Sequence, residues 1–89
     1  MEELLRLAQA GDADAMYRLG RGYQFAKFAD TPDYEEAFRW YQKAAQLNHV
    51  EAMISRGDAL MLGRGCKEDR ETGSMWYQEA YEIGKKIRK

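Results

Sequence analysis

His49 and Cys66 are the only histidine and the only cysteine in the chain, and they are its best candidates for nucleophilic or metal chemistry. A thiolate beside an imidazole can serve as nucleophile and base, and both residue types ligate zinc. Neither chemistry is completed by the rest of the sequence. A structural zinc site wants about four Cys/His ligands, and only these two are present. A Cys–His pair would also need an orienting third group and an oxyanion donor, and none can be identified. The acidic pairs Glu35-Glu36 and Glu68-Asp69 stand at expected helix starts, where carboxylates complement the helix dipole. Gly63-Arg64-Gly65 lacks the Lys-Ser/Thr of a phosphate loop and reads as a turn. The expectation is a non-enzyme with no cofactor and no metal.

The elements that carry these residues are repeated. DYEEAFRWYQKAA, residues 33–45, returns 36 positions later as DRETGSMWYQEAY, residues 69–81. Trp40-Tyr41-Gln42 coincides with Trp76-Tyr77-Gln78, Ala44 with Ala80 and Asp33 with Asp69. The stretch before each copy repeats with a spacing of 37, so Ala15-Met16 matches Ala52-Met53 and Gly20 matches Gly57. A period in the mid-thirties marks a solenoid of stacked helical hairpins, whose usual product is a binding surface.

No alternating strand pattern is found, and the apolar residues recur at three and four. Five helices with short loops follow. The first covers Glu2–Ala10, with Gly11 as its C-terminal stop. The second covers Ala13–Phe25, capped by Asp12, with Ala15, Met16, Leu19 and Tyr23 inward. Gly20 shares that face, as expected where a neighbouring helix crosses too closely for a methyl group. Thr31-Pro32 reads as N-cap and first residue of the third helix. That helix ends near Leu47, with Asn48 as a left-handed stop and Ala37, Tyr41, Ala44 and Ala45 inward. The fourth covers Val50–Leu62, and the fifth begins at the cap Asp69 and carries Met75, Trp76, Tyr77, Ala80 and Tyr81. The tryptophans and tyrosines fall at core spacing, so most of them are assigned to packing.

At 89 residues the chain is one domain, and its 45% apolar content supplies a core. Charged residues reach 33% but cancel to a formal −1, which argues against nucleic acid as partner. The basic run Lys85–Lys89 suits a helix C-terminus. A lone cysteine implies no oxidising compartment. No signal-peptide pattern and no membrane-spanning apolar run is present, so the expectation is a cytoplasmic protein without membrane contact.

The repeat resembles the Sel1-like repeat, a relative of the tetratricopeptide repeat. The first unit supplies Ala15, Leu19, Gly20, Tyr23, Asp33, Ala37, Trp40, Tyr41, Ala44 and Ala45 of that pattern. The second supplies Ala52, Gly57, Gly63, Gly65, Asp69, Trp76, Tyr77 and Ala80. The resemblance implies an all-α, short right-handed α-solenoid of antiparallel helical hairpins: a capping helix in 1–11, one repeat in 12–48 and another in 49–89. Three departures stand out. Arg56 replaces the leucine found at Leu19, which calls for exposure, rotation or pairing with Asp58 or Glu51. Gly73 and Tyr81 replace Ala37 and Ala45. The first loop, 26–32, lacks Gly-x-Gly and is one residue longer, so local geometry should differ most there.

The resemblance further implies that outward positions of each unit's first helix meet a protein or peptide partner on a concave face. These are Tyr17, Arg21 and Gln24, with Arg18 or Phe25 at the margin, and the matching Ile54, Asp58 and Met61. An alternative is self-association, as a homodimer, through the last helix, where Met75, Ile83 and Ile87 have no following helix to cover them.

Overall fold

The computed structural model describes residues 1–87, so Arg88 and Lys89 of the basic run lie outside the described residues. Its helices are α1 (Glu2–Gln9), α2 (Ala13–Gln24), α3 (Tyr34–Gln46), α4 (Val50–Leu62) and α5 (Arg70–Ile87). Each packs chiefly on its neighbour in sequence, α2 on α3 and α4 on α5 most extensively. The result is a slab of 34 × 29 × 16 Å: two hairpins with α1 at the front.

Four of the five helix starts are built alike. Asp12, Asp33 and Asp69 accept the backbone N–H three residues on, each at 3.1 Å, and His49 does the same through Nδ1 at 3.2 Å. Each cap satisfies one of the amides that a first helical turn leaves unpaired. Asp33 rather than Thr31 is therefore the cap of α3, and Pro32 lies outside the helix. The Asp33 backbone is non-helical, at φ −119° and ψ 89°, and its amide, free at a helix start, donates to the Tyr23 carbonyl at 2.9 Å. Asp69 donates likewise to Leu60 at 2.8 Å, and Tyr23 and Leu60 are equivalent positions.

The two loops share more of this frame. Lys27 donates to the Gly22 carbonyl at 2.8 Å, and its equivalent Arg64 donates to Ala59 at 2.9 Å. The residue closing each first helix is left-handed, Gly63 at φ 67° and Ala26 at φ 57°. Ala26 thus adopts without glycine a backbone that costs an L-residue about 1–2 kcal/mol. Beyond that point the loops part, as their different lengths anticipate. Phe28 turns back to fill the space over Gly22 and meets the Tyr23 ring edge-on, centroids 5.2 Å apart. Gly65 instead lies so close to the start of α3 that a Cβ would sit 2.0 Å from the Tyr34 carbonyl oxygen.

The core has two centres. Ala8, Ala15, Met16, Leu19, Trp40, Ala44 and Ala52 join α1 to α4 at the front, while Ala45, Met53 and Ala80, with Trp76 and Ile83 against them, join α3, α4 and α5 behind. The close approach expected at Gly20 is made by a ring: a methyl there would lie 2.5 Å from the fully covered Tyr41. Gly57 repeats this under Tyr77, at 2.7 Å.

Of the alternatives for Arg56, partial exposure holds and pairing with Asp58 or Glu51 does not. It lies half-buried with its guanidinium 4.2 Å from the centre of the Trp76 ring, and its Nε has no hydrogen-bond partner. Cation–π stacking takes the place of a carboxylate.

Candidate functional site

Between the end of α2, the first turns of α3 and the far half of α4 lies a cleft of about 130 Å³. Tyr41 supplies its floor, because the helix face that carries Gly20 draws that ring inward. Its hydroxyl, at the ring's far end, donates to Gln24 Oε1 at 2.6 Å. Burial pushes the Tyr41 phenol up to about 12, so it remains a neutral donor.

Three of the six expected contact residues, Arg21, Gln24 and Asp58, line this cleft. Arg21 donates to the Tyr17 hydroxyl at 3.2 Å, and its guanidinium rests over the Phe25 and Tyr17 rings at 5.0 and 5.9 Å. Asp58 accepts a hydrogen bond from the Tyr77 hydroxyl. Tyr17 acts as a prop: it holds Arg21 from below and stacks on His49, with centroids 4.9 Å apart.

The other two lie elsewhere. Ile54, 42% exposed, belongs to a separate apolar hollow with Val50, Tyr77 and Tyr81 beside α5. Met61 is half-buried against α5, its Cγ 2.9 Å from where a methyl on Gly73 would be. The Gly73 substitution explains this turn, since it opens a groove on α5 that Met61 fills. At the margin, Arg18 pairs with Asp14 at 2.8 Å.

The cleft also contains residues that the repeat alignment did not single out. Tyr34, Leu62 and Arg64 join Phe25 at its mouth. Phe25 is 53% and Leu62 58% exposed. The signal was available, because the two occupy equivalent places 37 residues apart at the ends of α2 and α4. Arg64 stands over the Tyr34 ring at 5.5 Å.

His49 and Cys66 have separate engagements. His49 caps α4 through Nδ1 and faces Asp14 through Nε2 at 3.3 Å. The Cys66 thiol donates to the Ala59 carbonyl at 3.5 Å, and burial pushes it up despite the Arg56 charge. No group of three or more His, Cys, Asp or Glu side chains that could hold a metal ion occurs among the described residues, and none of their helices is long and apolar enough to cross a membrane.

The family model described as "Sel1 repeat" matches twice, over residues 13–49 and 50–85. This chain belongs to the Sel1 repeat family. Its fold is that of solved Sel1-type solenoids. Helicobacter pylori cysteine rich protein B superposes with a TM-score of 0.87 at 20% identity over 93% of this chain. A Sel1 repeat protein from Oxalobacter formigenes gives 0.84 at 31% identity over 90%. The protein c5321, titled a protective antigen of uropathogenic Escherichia coli with an SLR fold, gives 0.83 at 31% over 93%. The chain spans 62%, 32% and 18% of those three chains, respectively. No curated protein matches it. Sel1 repeats generally mediate protein–protein interactions, and members are typically non-enzymatic scaffolds.

Proposed function

We propose that this chain is a non-enzymatic adaptor or regulatory module that holds a segment of a partner protein in the cleft between α2, α3 and α4. The observation carrying this is the set of exposed side chains gathered at one concavity: Phe25 and Leu62 at its mouth, Arg21 and Arg64 on ring supports. Arginine and aromatic residues are the types that most often dominate binding energy, and large exposed apolar groups grouped together mark contact surfaces. Arg21, Gln24 and Asp58 are the contacts, Tyr17 positions Arg21, and Phe25, Leu62 and Arg64 join them. Ile54 and Met61 are given no role in this cleft. With two repeats the groove accommodates a short segment.

The test is affinity capture with wild type beside the Tyr17→Ala, Arg21→Glu double variant. A partner retained by wild type and lost by the variant, with helicity and melting temperature unchanged, supports the reading. Equal capture by both removes the cleft from consideration.

A second reading has its own observation. The hollow of Val50, Ile54, Tyr77 and Tyr81 beside α5 has a mainly apolar lining, and Tyr81 is 63% exposed. Self-association of the chain as a scaffold through that end is the alternative, and a monomer by light scattering at high concentration would eliminate it.

A further inference from the structure

The charges around the cleft do not balance, and the imbalance specifies a partner. Arg6, Arg18 and Arg39 each lie within ion-pair reach of a carboxylate on their own helix. Arg21 and Arg64, which flank the cleft, have no carboxylate partner among the described residues, although the chain as a whole carries a formal −1. The one acid lining the cleft, Asp58, accepts from the Tyr77 hydroxyl, so the lining sets two guanidinium groups against a single carboxylate.

The two guanidinium groups are also held in a form suited to receiving an anion. Arg21 rests over Phe25 and Tyr17 and spends one N–H on the Tyr17 hydroxyl, and Arg64 rests over Tyr34. Both side chains are exposed, and a guanidinium can meet a carboxylate in two parallel hydrogen bonds. Between and beside these cations stand Phe25 and Leu62, more than half exposed. Cations near rings, sharing one cleft with uncovered apolar side chains, match a ligand that carries both carboxylates and apolar groups.

Resting on the reading of the cleft as the binding face, we propose that its occupant is an acidic, partly apolar stretch of extended polypeptide, with carboxylates on Arg21 and Arg64 and apolar side chains on Phe25 and Leu62. Basic and neutral segments of the same apolar content are rejected, because they leave both arginines unpaired after desolvation.

The experiment uses fluorescein-labelled synthetic peptide pools of one short length, in which leucine or phenylalanine alternates with Asp/Glu, with Asn/Gln or with Lys. Anisotropy titrations are run against the wild type, Arg21→Gln, Arg64→Gln and, as a surface control, Arg6→Gln, a residue on α1 away from the cleft. Circular dichroism melts verify folding of each variant. The expected result is binding of the acidic pool roughly tenfold tighter than the amide pool at low salt, a preference shrinking as salt rises. Arg21→Gln and Arg64→Gln should each remove most of that preference while Arg6→Gln retains it. Equal binding of acidic and amide pools overturns the charge assignment and leaves the cleft as a peptide site. Failure of every pool to bind overturns the cleft reading together with this one. Aromatic and arginine side chains also stack on unpaired bases, so labelled oligo-dT is a further arm, and its binding more tightly than the acidic pool overturns the proposal in favour of nucleic acid.

Discussion

The two repeats share a frame and differ in what fills it. Both hang on an aspartate cap whose amide reaches back to the preceding helix, and both lay a tyrosine ring over a bare glycine. In the first repeat Leu19 is wholly buried, Trp40 is covered from the front by α1, and Tyr41 is enclosed. In the second, Arg56 stands in place of Leu19, Trp76 is half-covered by that arginine, and Tyr77 reaches the surface. A few backbone-directing positions therefore suffice to set a hairpin. The remaining core positions set how tightly it closes, and the second repeat is the looser of the two.

The strongest way to break this comparison is at the Leu19/Arg56 pair. Leu19→Ala empties a fully buried site and is expected to cost about 3 kcal/mol, within the range for buried leucines. Arg56→Leu removes a buried Nε without a partner and restores the apolar type, and is expected to stabilise by about 1 kcal/mol after allowance for partial exposure. Urea unfolding of both variants measures the two effects. Loss of stability in Arg56→Leu comparable to that of Leu19→Ala would mean that the stacked arginine is itself a core element of the second repeat.

The glycine–ring contacts sharpen it further. In Gly20→Ala the new methyl meets Tyr41 at 2.5 Å, and that ring is enclosed, so overpacking of roughly 1–3 kcal/mol outweighs the helix-propensity gain of about 0.5–1 kcal/mol. A net loss of about 1–2 kcal/mol is expected. Gly57→Ala meets Tyr77 at 2.7 Å, but that ring has solvent on one side into which it can swing. The expected loss is about 0.5 kcal/mol, limited by the Gly73 carbonyl oxygen at 3.1 Å. Thermal melts that rank Gly57→Ala below Gly20→Ala would invert the order of rigidity inferred for the two repeats.

Much of this was legible in the sequence because repetition turns single motifs into paired ones. The all-α solenoid, Gly11 and Asn48 as left-handed stops, and the close approach at Gly20 all follow from local chemistry read twice. Misreadings occurred where a distant contact decided the outcome. Asp33 rather than Thr31 caps α3, its backbone non-helical and its amide anchored to Tyr23, ten residues upstream. Met61 turns from the cleft because Gly73 leaves room on α5. For Arg56 the sequence leaves exposure, rotation and pairing all open, and the adjacent Trp76 ring decides for a partly exposed stack. The cleft itself was half legible: Arg21, Gln24 and Asp58 follow from helix phase, whereas Tyr34 and Arg64 arrive from loops and helix starts that helical periodicity does not orient.

The smallest expected effect separates the two tyrosines by pH. Both phenols are pushed up to about 12, Tyr41 chiefly by burial, Tyr77 by burial and then by its bond to the Asp58 carboxylate. An unfolded tyrosine ionises near pH 10. Below that pH both states are protonated and the stabilisation from the neutral, packed phenol is fully present. Between about 10 and 12 the unfolded chain loses protons that the folded chain keeps, so stability falls as pH rises. Denaturant midpoints measured across this window should decline in the wild type, and Tyr41→Phe should flatten the decline by about 1 kcal/mol. Tyr77→Phe should flatten it less, and its share should shrink in high salt because the Asp58 charge is at the surface and screened. An alkaline decline unchanged in Tyr41→Phe would show that its ring, though enclosed, keeps its hydroxyl as wet as that of Tyr77, and the two repeats would then close equally tightly over the cleft.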